Sequence, residues 1–138
     1  MIRPNALCTS LIDAVFYNAQ ESIDNPPPFL MDQVHGAEAM ILTNIPSTQP
    51  MCDALVTNKK GLQLTVKTAD CAPILLADPE NKIIAAVHAG WKGAFQGIIE
   101  STLLKMLSLG AKIEFICAAI GPHLTQKSFQ VSPEMQSL

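Results

Sequence analysis

The fold of this chain is decided by residues 73–93, PILLADPENKIIAAVHAGWKG. Within them, two short apolar runs, 74–77 and 83–87, are separated by a polar turn at 78–82. Apolar runs of this length joined by a short polar turn are typical of neighbouring strands in a β-hairpin. The second run leads into residues 88–93, HAGWKG, where reactive and glycine residues precede a helix. The stretch therefore predicts a buried hairpin that presents polar side chains at one end.

Further strands are predicted on both sides of the hairpin. Residues 37–43 and 54–57 are short apolar segments, and apolar and polar residues alternate along 62–67. A period of two indicates a strand with one buried face. The apolar segment 114–120 is interpreted as a final buried strand, in which Cys117 acts as a small hydrophobe.

One amphipathic helix is predicted between the hairpin and the final strand. Apolar residues recur at spacings of three and four from Phe95 to Leu107, which is the period of a helix with one buried face. Gly93 lies just before its expected start, and Gly110 is placed to cap its end. Strands in succession, one helix and no alternating strand–helix–strand order predict an α+β fold.

The composition describes a single globular domain and excludes several functional classes. The chain has 138 residues, of which 49% are hydrophobic and 15% charged, as expected for a protein with a buried core. A net charge of -3 with scattered basic residues argues against a nucleic-acid partner. No apolar run approaches the roughly 18 residues of a membrane helix, and the N-terminus lacks a signal-peptide core. We therefore expect a cytoplasmic protein with no membrane partner.

Three polar segments at the ends of apolar strands each contain one good ligand for a borderline-soft metal: His35, Cys71 and His88. Two imidazoles and one thiolate would bind zinc and leave its fourth position to water or substrate. The spacing fixes no geometry by itself, because no short pair such as His-x-x-x-His is present. A turn histidine, a buried thiol and a strand-end histidine remain ordinary structural alternatives.

Two other metal enzymes are excluded by counting residues. A multicopper oxidase needs many more histidines than the three in this chain, so copper is not expected. A zinc nucleobase deaminase needs His-x-Glu followed by Cys-x-x-Cys, and neither pattern occurs here.

The residues after the hairpin also suggest an anion site. Gly90, Trp91, Lys92 and Gly93 stand before the predicted helix, where free backbone amides and a lysine could bind a phosphate or a carboxylate. The structural alternative is a tight strand-to-helix turn with Trp91 packed over the core. The sequence leaves both interpretations open.

Five motifs in a fixed order identify the chain as a member of a known family. They are residues 33–36 (QVHG), 53–57 (DALVT), 68–73 (TADCAP), 87–93 (VHAGWKG) and 120–122 (IGP). This order resembles that of the laccase-domain proteins, also called YfiH-like, polyphenol oxidase or purine nucleoside phosphorylase proteins. The resemblance implies a single domain of layered mixed sheets with an α/β/β/α arrangement. It also implies that His35, Cys71 and His88 bind zinc.

The resemblance further implies an activity and its partners. Family members are associated with phosphorolysis of adenosine, inosine, guanosine and methylthioadenosine, with adenosine deamination as a side activity. Some members are instead described as peptidoglycan-editing factors. On this interpretation Cys71 belongs to the catalytic centre. Asp70 is assigned to it only because it adjoins Cys71, where it would orient a ligand or move a proton; a turn-forming residue is the structural alternative. Lys92, with Gly90 and Gly93, holds phosphate, so the expected partners are a small nucleoside and phosphate.

The chain departs from the family pattern in several places. Residues 1–32 do not match it, and the core at 33–138 lacks the part that usually follows the Gly-Pro motif. His123 stands where the family usually has cysteine, and Lys92 stands where arginine is more usual. An incomplete sheet would expose an edge and apolar surface, so self-association is expected.

Two alternatives to a phosphorylase stay open from the sequence. The chain could bind zinc without turning over a substrate, as a shortened and inactive member would. Cys71 could instead act as a nucleophile with His88 as its base, which would make the protein an amide hydrolase.

Overall fold

The structure is a computed structural model that describes residues 1–5, 7, 9, 12–18, 20–21, 29–131 and 133. The three prolines at 26–28, which predict an irregular segment, lie outside these residues. The described elements are β1 (Ala39–Ile41), β2 (Ala54–Thr57), β3 (Ala72–Asp78), β4 (Ile83–Ala89), α1 (Trp91–Gln96), α2 (Ile98–Ser108), a 3-10 turn (Ile113–Phe115) and β5 (Cys117–Ile120). None of the described helices is long and apolar enough to cross a membrane.

The five strands form one mixed sheet in the order β1-β2-β4-β3-β5. The predicted hairpin is confirmed, since β3 and β4 pair antiparallel from Ala72 opposite Ala89 to Asp78 opposite Ile83. β2 adds to β4 and β5 adds to β3, both antiparallel, whereas β1 runs parallel to β2. A mixed sheet with helices separated along the chain confirms the α+β prediction. The hairpin register brings the start of β3 and the end of β4 to the same end of the sheet.

Helix α2 packs against β1, β2 and β4 and covers one face of the sheet. Ile98 and Met106 are fully buried in the same apolar cluster as Val56 and Val87. The long stretches of apolar residues in β3 and β4 follow from this packing, because both faces of these central strands are partly or wholly covered.

The helical region differs from the single helix predicted over 95–107. Gly97 has φ 93° and divides the region into α1 and α2, a left-handed conformation that glycine adopts without steric cost. Helix α1 begins at Trp91, so Gly93 lies inside it rather than before it. The apolar period continues across the break, which is why the sequence pattern did not reveal it. Gly110, with φ 102°, follows the end of α2 as predicted.

The opposite face of the sheet is covered by irregular segments. Leu7 and Ala14 pack with Ala77 in one cluster, and Met31 packs with Leu55 in another. A cleft of about 1370 Å³ lies on this side of the sheet. The second sheet and outer helix layer implied by the family resemblance are not among the described elements. Self-association through this face therefore stays a prediction.

Two strand predictions are corrected by the structure. The segment 62–67 is not a strand, because only Leu64 forms an isolated bridge, to Phe29. Leu64 and Val66 are partly buried and pack against a loop cluster, which accounts for their apolar character without pairing in the sheet. The last segment begins with a 3-10 turn and becomes the edge strand β5, where Ile120 is 61% exposed. This strand is half-exposed rather than buried, because α2 packs chiefly against β1, β2 and β4 and every second side chain of β5 is exposed.

Candidate metal centre

The hairpin and one preceding loop bring the three sequence-predicted ligands together. Cys71 immediately precedes β3, and His88 lies near the end of β4, where it pairs with Pro73 across the register. His35 comes from the loop before β1. One ligand atom from each of these three residues lies within 4.8 Å of the other two. The structure thus forms a group that could hold a metal ion.

Asp53 connects the His35 loop to His88 through hydrogen bonds. Its side chain is fully buried, and its carboxylate accepts hydrogen bonds from the backbone N–H groups of Val34 (3.3 Å), His35 (3.0 Å) and Gly36 (2.8 Å). The same carboxylate lies 2.7 Å from Nδ1 of His88. His35 has φ 59°, an uncommon conformation for a residue other than glycine. The three hydrogen bonds from these backbone N–H groups to Asp53 hold the loop in that conformation.

The contact with Asp53 also fixes the chemistry of His88. An ionised carboxylate only accepts hydrogen bonds, so Nδ1 of His88 is the donor in this contact and Nε2 is the nitrogen that could bind a metal. Burial would raise the pKa of Asp53, but the hydrogen bonds from His88 and the three amides keep that pKa below its ordinary value. A histidine whose second nitrogen donates to a carboxylate is the usual arrangement around a metal ion.

Glycines make room for the ligands. A Cβ at Gly90 would lie 3.2 Å from both Cys71 Sγ and His35 Cδ2. A Cβ at Gly93 would lie 2.4 Å from the carbonyl oxygen of Gly36, which no packing could accommodate without a shift. The start of α1 can therefore approach the His35 loop only because these positions lack side chains.

The donor set and its spacing fit zinc. In a tetrahedral zinc site, metal–ligand distances of about 2.0–2.3 Å place ligand atoms roughly 3.3–3.8 Å apart. Atoms that all lie within 4.8 Å of one another reach that spacing by small side-chain rotations. His88 is buried, Cys71 is half-buried and His35 is exposed, so the group faces solvent on one side. Three protein ligands with an open side are typical of catalytic rather than structural zinc sites.

Cys71 is poorly suited to act alone as a thiolate. Burial raises the pKa of its thiol, and the carboxylates of Asp70 and Asp53 raise it further. A thiol with a raised pKa is a weak nucleophile at neutral pH. A bound cation would reverse this balance, because a coordinating thiol is deprotonated by the metal.

A pocket of about 200 Å³ adjoins Cys71. It is lined by Asp70, Cys71, Ala72, Ala89, Trp91, His123, Leu124 and Phe129. Trp91 is 39% exposed and belongs to this lining, so it is not packed as a lid over the core. Lys92 is exposed, with Nζ 5.5 Å from the centroid of the Trp91 ring. Asp70 thus opens onto a cavity beside Cys71, whereas a role of Lys92 toward phosphate stays a prediction.

Two residues of the site were given no role by sequence reasoning. Asp53 could have been noticed as a charged residue that directly precedes a wholly apolar strand, a position where burial demands partners. The sequence marks His123 only as a departure from the family pattern. Its place in the pocket depends on a loop beyond β5, for which the sequence carries no local pattern.

The fold and the His-Cys-His group define a laccase-domain protein. The family model described as multi-copper polyphenol oxidoreductase laccase matches residues 13–138, and the chain belongs to this family. The chain is 41% identical over 105 residues to a purine nucleoside phosphorylase of Rickettsia conorii, covering 76% of this chain and 43% of the relative. It is 42% identical over 105 residues to a purine nucleoside phosphorylase of Deinococcus radiodurans, covering 76% and 41%.

Solved structures agree with this assignment. A Neisseria meningitidis protein of the DUF152 family superposes with a TM-score of 0.72 at 27% identity, covering 80% of this chain and 45% of that protein. The YfiH protein of Bacillus licheniformis superposes with a TM-score of 0.71 at 26% identity, covering 78% and 44%. The chain therefore spans less than half the length of the relatives it matches.

Proposed function

We propose that this chain carries the zinc centre of a purine nucleoside phosphorylase. The substrates on this proposal are adenosine, inosine, guanosine and methylthioadenosine, with adenosine deamination as a side activity. The observation that carries it is the convergence of His35, Cys71 and His88 within 4.8 Å over the buried carboxylate of Asp53. Relatives named purine nucleoside phosphorylase, at 41–42% identity, supply the reaction class.

Zinc is favoured over copper by the residues present. Two imidazoles and one thiolate with an open fourth position form a donor set that catalytic zinc sites use. The chain contains only three histidines, too few for the several copper centres that the family description mentions. Bound zinc would supply a Lewis acid that polarises an oxygen of the substrate or of water.

The chain's own residues would position the reactants. Asp53 would keep Nε2 of His88 available to the metal by holding the proton on Nδ1. Lys92 and the backbone at Gly90 and Gly93 would hold phosphate near the start of α1. Asp70, which lines the pocket beside Cys71, would orient the substrate or move a proton. The partners are therefore a nucleoside and phosphate, and the cytoplasm is the proposed location.

The proposal is tested by metal content and by dependence on phosphate. Elemental analysis of the purified chain is expected to give one zinc per chain, and hypoxanthine release from inosine is expected only with phosphate present. Cys71→Ala should lose both the zinc and the activity. Cys117→Ala is the matched control, because Cys117 is a half-buried thiol in β5, outside the metal group. Hypoxanthine release that ignored phosphate would overturn the phosphorylase assignment.

An amide hydrolase with Cys71 as nucleophile is the second candidate. The order Asp53–His88–Cys71 resembles an orienting acid, a base and a nucleophile, which is the observation in its favour. The raised pKa of the Cys71 thiol and the presence of His35 as a third ligand weigh against it. Alkylation of the metal-free protein distinguishes the two, since only a thiolate nucleophile would react rapidly without metal. A chain that binds zinc but cleaves no nucleoside would instead support the zinc-binding-only alternative.

A further inference from the structure

We propose that His123 is the general acid that protonates the departing base, and that the pocket beside Cys71 is the base subsite. The inference rests on the proposed phosphorylase activity and extends it to a residue that departs from the family pattern. It follows from how His123 is anchored, from which of its nitrogens is engaged by its own loop, and from the size and lining of that pocket.

The loop that carries His123 is hydrogen-bonded to residues on both sides of Cys71. The N–H of Gly121 donates to the carbonyl of Pro73 at 2.9 Å, and the N–H of Leu124 donates to the carbonyl of Asp70 at 2.9 Å. Gly121 is also confined sterically, because a Cβ there would lie 2.5 Å from the Phe16 ring. These contacts hold His123 in the wall of the pocket that Cys71 also lines.

The ring of His123 is oriented by its own backbone. Its Nδ1 lies 2.9 Å from the carbonyl oxygen of Gly121. A carbonyl only accepts hydrogen bonds, so Nδ1 is the donor in this contact. Nε2 is therefore the nitrogen left to exchange a proton with a ligand, as in other histidines that act as acids and bases.

The pocket has room for a single ring system and two aromatic side chains in its lining. Its volume of about 200 Å³ is below the range of about 300–1,000 Å³ usual for whole drug-sized ligands, so it suits one part of a nucleoside. Trp91 and Phe129 line it and are 39% and 40% exposed, which leaves aromatic surface free to contact a base. Stacking on aromatic side chains is a general way for proteins to hold bases.

In the proposed step, an oxygen of hydrogen phosphate forms a bond to C1′ of the ribose while the bond between C1′ and N9 of the purine breaks. The electron pair of that bond passes into the purine ring, and N7 takes the proton from Nε2 of His123. The products are ribose 1-phosphate and a neutral purine. The proton that the phosphate loses on becoming a dianionic ester restores His123.

A pair of substrates separates this role from a structural one. Inosine needs a proton on N7 as its base leaves, whereas 7-methylinosine already carries a methyl group and a positive charge there. His123→Ala is expected to lower kcat for inosine about 10²- to 10⁴-fold and to leave kcat for 7-methylinosine near that of the unaltered chain. Gln126→Ala is the matched control, because Gln126 is exposed on the same loop and is not part of the pocket lining.

Each outcome bears on the inference. Equal losses with both substrates, or no loss with either, would overturn the acid role of His123. Failure of the unaltered chain to cleave either substrate in a phosphate-dependent way would overturn the proposed function and this inference with it. His123→Gln, which retains a side-chain amide donor, guards against loss of folding and should show the same difference between the two substrates.

Fluorescence tests the base subsite without turnover. Trp91 is the single tryptophan of the chain, so its emission reports directly on this pocket. Hypoxanthine is expected to quench that emission in the unaltered chain, and Phe129→Ala should weaken its binding severalfold. Emission unchanged by saturating hypoxanthine would contradict the base subsite even if the protein were an active phosphorylase.

Discussion

Two aspartates are fully buried among the described residues, one near each end of the central hairpin. Asp53 lies beside the ligand end and Asp78 at the turn end, and both are 0% exposed. Each accepts hydrogen bonds from backbone amides and one side chain. For both, burial would raise the pKa of the carboxyl, but hydrogen bonds to the charged form lower it.

The two aspartates differ in their side-chain partner. Asp78 binds the amide of Asn81 at 2.8 Å and the backbone N–H of Lys112 at 2.9 Å, so it closes the turn and ties the chain after α2 to the sheet. Asp53 binds the imidazole of His88, which in turn belongs to the metal group. Burial and hydrogen bonding therefore do not identify a functional carboxylate by themselves, whereas the chemistry of its partner does.

The sharpest test of this comparison is Asp53→Asn. The amide can accept at only one atom and would place donors against the Val34 and Gly36 amides, so we expect a loss of about 3 kcal/mol in the free energy of unfolding. The remaining amide oxygen could still accept from Nδ1 of His88, but it is neutral and a weaker acceptor than the carboxylate, so zinc affinity should fall about 10- to 100-fold. Chemical denaturation of the metal-free chain and competition with a zinc chelator measure the two effects.

Asp78→Asn should affect stability alone. The donors to this carboxylate include the Asn81 backbone, the Asn81 side chain and the Lys112 backbone. Leaving part of this set unpaired should cost about 2 kcal/mol, measured by denaturation of the metal-free chain. Zinc affinity should stay unchanged, because Asp78 lies at the far end of the hairpin. A matching loss of zinc affinity would show that the two aspartates are not functionally distinct.

Lowering the pH should remove the contribution of the Asp78 carboxylate to the free energy of unfolding. Its pKa is lower in the folded chain than its ordinary value of 3.8, so its contribution to stability is full above the unfolded pKa of about 3.9. That contribution is lost as the pH falls below this value toward the folded pKa. The stability difference between the unaltered chain and Asp78→Asn should therefore shrink as the pH falls through about 3.9 toward the lower folded pKa. Chemical denaturation at each pH measures this difference. A difference that stayed constant with pH would contradict an ionised Asp78 in the folded chain.

The comparison also shows what a sequence can predict. The hairpin was predictable because two apolar runs and a polar turn are local features. The grouping of His35, Cys71 and His88 within 4.8 Å of one another was predictable from ordered family motifs. The break at Gly97 was not, because the apolar face of the helix continues across it. The role of Asp53 was not predictable from the sequence either, because it depends on contact between the loop at 34–36 and the residue just before the strand that begins at residue 54.

The same reasoning explains the incorrect strand at 62–67. Alternation records which side chains are buried, and Leu64 and Val66 are indeed packed inward. It does not record whether a neighbouring strand is present to pair with the backbone. Sheet pairing is set by the register of distant segments, which local periodicity cannot supply.

The smallest expected effect concerns space rather than hydrogen bonds. Gly90 has φ -71° and ψ 159°, which any residue can adopt, so Gly90→Ala introduces no backbone strain. Its methyl group would lie 3.2 Å from Cys71 Sγ and His35 Cδ2, and the ligands would have to shift by a few tenths of an ångström. We expect zinc affinity to fall by about 1 kcal/mol, with little change in the stability of the metal-free chain.

Gly36→Ala is the control for this effect. A Cβ at Gly36 makes only ordinary contacts of 3.6 Å with Asp53 and Val34, although the residue lies in the loop that carries His35. Chelator competition on both variants compares a methyl group that crowds the ligands with one that does not. If the two variants bound zinc equally well, Gly90 would serve only the turn into α1, and the metal group would owe its geometry to Asp53 alone.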